Sequence, residues 1–197
     1  MGKVAEKLGH EVFSVDINNF KNIDLVKDIL DLKKNDIKFI PDYIHASPPC
    51  TYFSVASIGH HWNENHTPKT KEAILGMKIL QKTLEIFTWF PKARFTMENP
   101  VGKMRRMVKG INRVTITYCS YGDKRMKPTD IWSNNIYDMF NLNGWKPRPT
   151  CYAGNIKCHH EEAPRGSKTG TQGLKNNYER SKIPKELCQE ILNAMNK

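Results

Sequence analysis

Residues 42–54, DYIHASPPCTYFS, join a short strand-like segment to a turn that contains two prolines. The alternating segment DYIHA is typical of a strand, and Pro48 and Pro49 fix the direction of the backbone directly after it. Cys50 is therefore expected at the end of this strand. Residues 94–100, RFTMENP, repeat the arrangement, because a predicted strand leads directly into Glu98.

Helical and strand-like segments alternate around these two stretches. A long helix is predicted over residues 67–90, because Thr67 and Pro68 suit a first turn and Pro91 ends the pattern. A short helix over residues 2–8 and a strand over residues 10–17 precede it. Strand-like runs follow at residues 114–119 and 130–133. This alternation predicts an α/β fold, with a mostly parallel sheet and helices on both of its faces.

Three reactive or acidic groups end predicted strands, namely Asp16, Cys50 and Glu98. Ligands of such sheets bind where the strands end, so we expect these groups to line one cleft. A cysteine there can act as a nucleophile if nearby positive charge favours its thiolate, and a carboxyl group can act as its acid partner. Each group alone is also compatible with an ordinary structural role.

The composition favours a negatively charged partner. Lys and Arg outnumber Asp and Glu by 31 to 20, which gives a net charge of +11 and a pI near 9.4. Nucleic acid is the usual partner of such a chain, although a basic solvated surface is the alternative. No apolar run reaches the roughly 18 residues of a membrane span. The five cysteines are dispersed along the chain and no secretory leader precedes them, which predicts reduced thiols in the cytoplasm. We expect no membrane partner.

Residues 136–180 differ from the rest of the chain in composition and in hydrophobic pattern. Hydrophobic periodicity fades, and Gly, Pro, Lys and Asn dominate. We predict a core at residues 1–135, one irregular basic insertion at residues 136–180, and a helix at residues 181–197 that packs back on the core. The insertion offers a set of possible phosphate contacts, for which a solvated basic loop is the alternative: Trp145, Lys146, Arg148, Lys157, Arg165, Lys168 and Lys175.

The insertion also concentrates zinc-type ligands in the pattern Cys151-x6-Cys158-His159-His160. The spacing of the cysteines is wider than the two to four residues common in zinc sites. Two interpretations remain open. A metal ion could order a loop that is too polar to bury a core, or two free thiols could lie beside two surface histidines.

Several of these motifs resemble those of small, phage-type DNA (cytosine-5)-methyltransferases. PPCTYFS (48–54) resembles the nucleophile motif PPCQ-x-FS, with threonine in place of glutamine, and ENP (98–100) resembles the motif ENV. VDI (15–17) matches the acidic cofactor motif, and Asp28-Ile29 matches the motif that follows it. The resemblance covers roughly residues 2–135.

The resemblance implies a Rossmann-like class I methyltransferase fold, S-adenosylmethionine as cofactor and double-stranded DNA as partner. Cys50 would add to carbon 6 of cytosine, and Glu98 would hold or protonate ring nitrogen 3. Arg125 is the expected catalytic arginine that supports the base, with Arg113 as the other candidate. The expected cofactor contacts are Asp16, Ile17, Asp28, Ile29 and Pro48, and the expected substrate contacts are Pro49, Ser54, Asn99 and Arg113. Protection of viral DNA against restriction is the biological role that the resemblance suggests.

The chain also departs from this family. The glycine-rich F-x-G-x-G loop and the strand before it have no counterpart, so the chain either starts late or is a divergent relative with impaired cofactor binding. A missing central strand would leave sheet edges open to pairing with another chain. Two alternatives follow: a catalytically silent methyltransferase-fold protein that binds DNA or another partner, and methylation of an exocyclic amine. Ser47-Pro48-Pro49 suits the latter, but Cys50 stands where those enzymes have an aromatic residue.

Overall fold

A computed structural model describes residues 1–55, 57–161 and 176–195. Three short 3-10 turns lie at Ile29–Asp31, Lys34–Asp36 and Tyr118–Tyr121. The helices and strands of the described residues are, in chain order, α1 (Gly2–Lys7), β1 (Val15–Asp16), β2 (Leu25–Val26), β3 (Tyr43–Ala46), α2 (Ile58–His61), α3 (Lys71–Trp89), β4 (Arg94–Pro100), α4 (Met104–Met107), β5 (Arg113–Thr117), β6 (Pro128–Ser133), α5 (Asn177–Ser181) and α6 (Lys185–Met195).

The strands form a four-stranded sheet in the order β3-β4-β6-β5 and a separate parallel pair, β1-β2. The predicted mixture of helices and sheet is confirmed, and three of the four strands of the larger sheet, β3, β4 and β5, run in the same direction. The sequence did not predict that β6 runs in the opposite direction, antiparallel to both of its neighbours, β4 and β5. The 3-10 turn after β5 and Gly122, whose φ is +80°, reverse the chain locally. Adjacent strands joined by so short a connection pair antiparallel.

Helices cover both faces of the larger sheet. Met97 and Trp132 pack on one face against Leu80 of α3. Ile131 packs on the other face with Leu187 of α6, because successive residues of a strand point to opposite sides. Glu98 is adjacent to Met97 on β4 and therefore points towards the α6 face.

The long helix α3 begins later than predicted. Thr70 caps it by accepting a hydrogen bond from the Ala73 N–H at 3.2 Å, so residues 67–69 precede the helix. None of the helices in the described ranges is both long and apolar enough to cross a membrane.

The β1-β2 pair is separate from the larger sheet. Where the sequence predicts a strand over residues 10–17, β1 comprises only Val15 and Asp16. Among the described residues, β1 pairs only with β2, and β3 pairs only with β4.

Candidate active site at the ends of β3 and β4

Cys50 begins a tight turn that is packed against α3. The N–H groups of Phe53 and Ser54 donate hydrogen bonds to the Cys50 carbonyl, at 3.0 and 2.9 Å. Phe53 is buried beneath this turn. A Cβ atom at Gly76 of α3 would lie only 2.9 Å from the Tyr52 ring, so the helix backbone contacts the turn directly. The turn is therefore held closely from the helix side.

The segment after β4 holds the same turn from the other side. A Cβ atom at Gly102 would lie 2.1 Å from the Phe53 carbonyl oxygen, which leaves room only for glycine. The Lys103 N–H donates to that same oxygen at 2.7 Å. The buried Asn99 amide donates to the Pro48 carbonyl at 2.8 Å, so the two motifs PPC and ENP are joined directly.

Glu98 lies in the interior and is held by a tyrosine. Its side chain accepts a hydrogen bond from the Tyr118 hydroxyl at 2.8 Å, with the oxygen Oε1 as acceptor. Burial, followed by the negative charge of Glu98, raises the pKa of Tyr118 well above its usual value. Tyr118 therefore stays protonated and can donate to the carboxylate. The sequence analysis did not identify Tyr118, whose only signal is its position at the end of a predicted strand.

Lys127 is a second site residue that sequence reasoning missed. Burial raises the pKa of the Cys50 thiol, the positive charge of Lys127 lowers it, and the charge of Glu98 raises it again. The three groups thus lie within electrostatic range of one another. The Lys127 ammonium lies 4.6 Å from the centre of the Tyr118 ring. The backbone of Lys127 has φ +28°, a strained value for a residue other than glycine.

The two candidate arginines lie in different places. Arg125 is buried beside Tyr118, and its guanidinium donates to the Asp123 carboxylate at 2.8 and 2.5 Å. It also donates to backbone carbonyls of residues 179, 180 and 182, so it ties the segment before α6 to the core. Arg113 pairs with Trp132 in the sheet, whereas Glu98 pairs with Ile131. Arg113 and Glu98 therefore point to opposite faces.

Three of the four predicted substrate contacts, Pro49, Ser54 and Asn99, lie at the Cys50 turn, whereas Arg113 lies on β5 beside Asp130. Pro49 is exposed and Pro48 is buried. The Ser54 hydroxyl lies 3.0 Å from the Ser57 hydroxyl and so belongs to the turn itself. The Asn99 oxygen Oδ1 is buried and has no hydrogen-bond partner within the described part of the chain. It is a free acceptor beside the PPC segment.

The predicted cofactor contacts lie at the ends of β1 and β2. The Asp16 carboxylate accepts hydrogen bonds from the backbone and side-chain amides of Asn18 on its oxygen Oδ1, at 2.8 and 3.2 Å. Asp28 accepts from the Leu30 N–H at 2.9 Å and so orients the turn that Ile29 begins. Ile17, beside Asp16, is 63% exposed. An acidic side chain after a strand is the type of group that holds a ribose hydroxyl in nucleotide-binding sheets.

The described part of the insertion packs against α6 more than the sequence suggested. Trp145 is buried and donates through Nε1 to Glu190 at 3.1 Å, so the prediction that it contacts phosphate is wrong. Arg148 forms ion pairs with Glu186 and Glu190, at 2.7 and 2.9 Å. Lys146 and Lys157 are exposed. The remaining members of the predicted set lie outside the described residues: Arg165, Lys168 and Lys175.

The predicted metal ligands are brought together only in part. One ligand atom from each of Cys119, Cys151, Cys158 and His160 lies within 4.8 Å of the others. Cys119 follows Tyr118 after β5 and was not predicted, because it is far from the other three in the sequence. The His159 atom Nε2 lies 3.2 Å from the Asp123 carbonyl oxygen, outside this group.

Comparisons with known proteins agree with the class that these motifs define. The resemblance to DNA (cytosine-5)-methyltransferases is confirmed by a curated protein of Frog virus 3 (isolate Goorha), which bears the name "Probable DNA (cytosine-5)-methyltransferase". The two sequences are 28% identical over 166 residues, which cover 80% of this chain and 72% of the viral protein. No family model matches the chain.

Proposed function

We propose that this chain transfers a methyl group from S-adenosylmethionine to carbon 5 of cytosine in double-stranded DNA, through a covalent intermediate on Cys50. The single observation that carries the proposal is the hydrogen bond from Asn99 to the Pro48 carbonyl. It links the segment that bears Cys50 to the segment that bears Glu98. The similarity to the viral protein and the net charge of +11 support DNA as the substrate.

Carbon 5 of cytosine is a poor nucleophile until a nucleophile adds to carbon 6. In the proposed reaction the Cys50 thiolate forms a bond to carbon 6, and the electrons of the C5–C6 double bond become available at carbon 5. Carbon 5 would then take the methyl group as the bond between that group and the sulfonium sulfur of the cofactor breaks, with the electron pair of the broken bond left on sulfur. Loss of the proton from carbon 5 restores the double bond and expels the thiolate, so that Cys50 is regenerated.

Two neighbours adjust the groups that react. Because burial raises the pKa of Cys50, its thiolate needs a compensating positive charge, and Lys127 supplies one. Glu98 would contact ring nitrogen 3, where negative charge develops as the thiolate adds. Tyr118 holds one oxygen of this carboxyl group and so fixes its orientation.

The cofactor supplies an electrophilic methyl group when it is bound. Asp16 and Asp28 would hold its ribose and adenine, with Ile17 and Ile29 against the ring. The target cytosine must leave the duplex to reach Cys50, which costs a few kcal/mol. We assign Arg125 a positioning role, because its donors are engaged with Asp123 and the segment before α6.

The test is to trap the intermediate on mixed-sequence duplex DNA that contains 5-fluorocytosine. Fluorine replaces the proton that must leave carbon 5, so the enzyme stays bound after methyl transfer. We expect a DNA adduct that survives denaturing electrophoresis, requires S-adenosylmethionine and maps to the peptide that contains Cys50. Methylation of ordinary cytosine without such an adduct would overturn the covalent mechanism. DNA binding without methylation or adduct would favour the catalytically silent alternative.

A further inference from the structure

We propose that Cys119, Cys151, Cys158 and His160 bind one Zn²⁺ ion, which fastens residues 149–161 to the end of β5. The ligands come from two parts of the chain. Cys119 is buried in the 3-10 turn that follows β5, and the other three belong to the insertion. The site is separate from the methyl-transfer chemistry, so it stands or falls independently of the proposed function.

The distances suit a tetrahedral zinc site. Zn–S bonds of about 2.3 Å in a tetrahedron place sulfur atoms roughly 3.8 Å apart and a sulfur and a nitrogen atom somewhat closer. The Cys151 sulfur lies 3.6 Å from the His160 atom Nδ1, and all four ligand atoms lie within 4.8 Å of one another. A small contraction of the side chains around an ion would complete the coordination.

The types of ligand select zinc over other common cations. Three thiolates and one imidazole form the Cys3His set of structural zinc sites, whereas Ca²⁺ and Mg²⁺ prefer oxygen. The three thiols would lose their protons on binding, and the bound site would carry a net charge of −1. The Asn155 amide donates to the Cys151 sulfur at 3.3 Å, an arrangement that favours a thiolate at that position.

The loop needs such an ion because it has no hydrophobic core of its own. None of residues 149–161 is buried, although all of them are described. Ile156 is 97% exposed and Tyr152 is 67% exposed. A segment without buried apolar surface cannot offset the entropy of ordering it, and metal binding supplies that free energy in small, polar modules.

Backbone contacts already place the loop along the turn after β5. The Cys151 N–H donates to the Thr117 hydroxyl at 2.8 Å, and the Ser120 hydroxyl donates to the Pro149 carbonyl at 2.8 Å. The contact between His159 and the Asp123 carbonyl continues this arrangement and turns His159 away from the cluster. These contacts pre-organise three ligands around Cys119, so binding would require little rearrangement.

The first measurement is the metal content of the full chain, purified without a metal-binding tag and in the presence of a reductant. We expect inductively coupled plasma mass spectrometry to find about one zinc ion per chain. Replacement by Co²⁺ should give the strong visible bands of a tetrahedral ion and a thiolate-to-cobalt charge-transfer band. The proposal would be overturned if the purified chain held less than roughly 0.1 zinc ion and if titration with Co²⁺ gave no cobalt–thiolate band.

Adjacent histidines provide a matched pair of variants. His160→Ala should weaken zinc binding by roughly 100-fold or more, beyond the loss usual for residues that only support a ligand. His159→Ala should bind zinc as the unchanged chain does. Equal losses in the two variants would contradict the assignment of His160. Cys119→Ser should also lose the metal, and the His160 variant keeps the test decisive if the serine variant does not fold.

A disulfide between two of the three cysteines is the competing outcome. With zinc bound, the cysteines of the cluster should resist alkylation until a chelator is added. If they instead resist until a reductant is added, and zinc is absent, the cluster is a disulfide and the proposal is wrong.

Discussion

The turn at Cys50 and the loop at residues 149–161 are positioned by different forces. The turn lies between α3 and the segment after β4, where Gly76 and Gly102 bring two backbones into close contact with it. The loop has no buried residue and is held by hydrogen bonds to the turn after β5. Packing fixes the first region and polar contacts fix the second. Chemistry that tolerates little misplacement is expected in the packed region, and adaptable contacts with DNA in the other.

Cys50→Ser tests whether the chemistry is confined to the packed turn. We expect methylation to fall by on the order of 10³-fold or more, because a serine hydroxyl is a far weaker nucleophile than a thiolate. The affinity for DNA should change little. The measurement is incorporation of labelled methyl groups into mixed-sequence DNA, with binding followed by fluorescence anisotropy.

Lys157→Ala is the matched variant in the exposed loop. It should weaken DNA binding by a few-fold at low salt and reduce its salt dependence, with no loss of methylation at saturating DNA. Full methylation by Cys50→Ser, or complete inactivation by Lys157→Ala, would reverse the proposed division of roles.

Gly102→Ala tests how tightly the turn is held. The added methyl group would meet the Phe53 carbonyl oxygen, so either the turn or the segment after β4 must shift. We expect the free energy of unfolding to fall by about 1–3 kcal/mol, the usual cost of overpacking. Urea unfolding provides the measurement. Gly59→Ala is the control, because nothing lies within 4 Å of a Cβ atom there. Equal changes in the two variants would show that the turn is not tightly packed.

Tyr118→Phe tests the orientation of Glu98. Removal of the hydroxyl leaves a buried carboxyl group without its donor, a loss of roughly 1–3 kcal/mol, and should lower kcat about 10-fold. Tyr121→Phe is the control, because the Tyr121 hydroxyl bonds to Glu190 and to the Arg148 N–H and not to Glu98. A change in KM for DNA with an unchanged kcat would argue that Tyr118 does not act through Glu98.

Lys127→Met tests the electrostatics of the thiol. Because burial raises the pKa of Cys50, the rate at which iodoacetamide alkylates it should keep rising to a higher pH than the rate for an exposed thiol does. Loss of the Lys127 charge removes an influence that lowers this pKa, so the curve should move to higher pH. Mass spectrometry of the Cys50 peptide follows the rate. The exposed Lys124→Met should leave the curve in place, and a shift to lower pH in Lys127→Met would contradict the assigned sign.

The part of the candidate site that the sequence predicted best is the one that depends on two neighbouring parallel strands. PPC follows β3, whereas ENP forms the last three residues of β4, which extends beyond the predicted end of that strand. Because β3 and β4 are adjacent and parallel, Cys50 and Glu98 are still brought to the same end of the sheet. Tyr118 and Lys127 flank the connection that returns antiparallel from β5 to β6. The alternation of elements gave no sign of this reversal.

Two further differences arise from contacts between residues that are far apart in the sequence. Cys119 joins three cluster members that are far away in sequence, a juxtaposition that no local spacing encodes. Trp145 stands in a polar stretch and yet is buried, because it packs in one cluster with Leu187 and Ile191 of α6, where Glu190 accepts its indole N–H. The residues of the insertion therefore depend on tertiary partners that periodicity does not reveal.

The most direct measurement of the central claim is the identity of the base that the protein modifies. Unmethylated DNA of mixed sequence is incubated with the full chain and S-adenosylmethionine, digested to nucleosides and analysed by mass spectrometry. The account predicts 5-methylcytosine with the unchanged chain and none with Cys50→Ser. Methylation of the exocyclic amine of cytosine, or no methylated base despite binding of both DNA and cofactor, would contradict it.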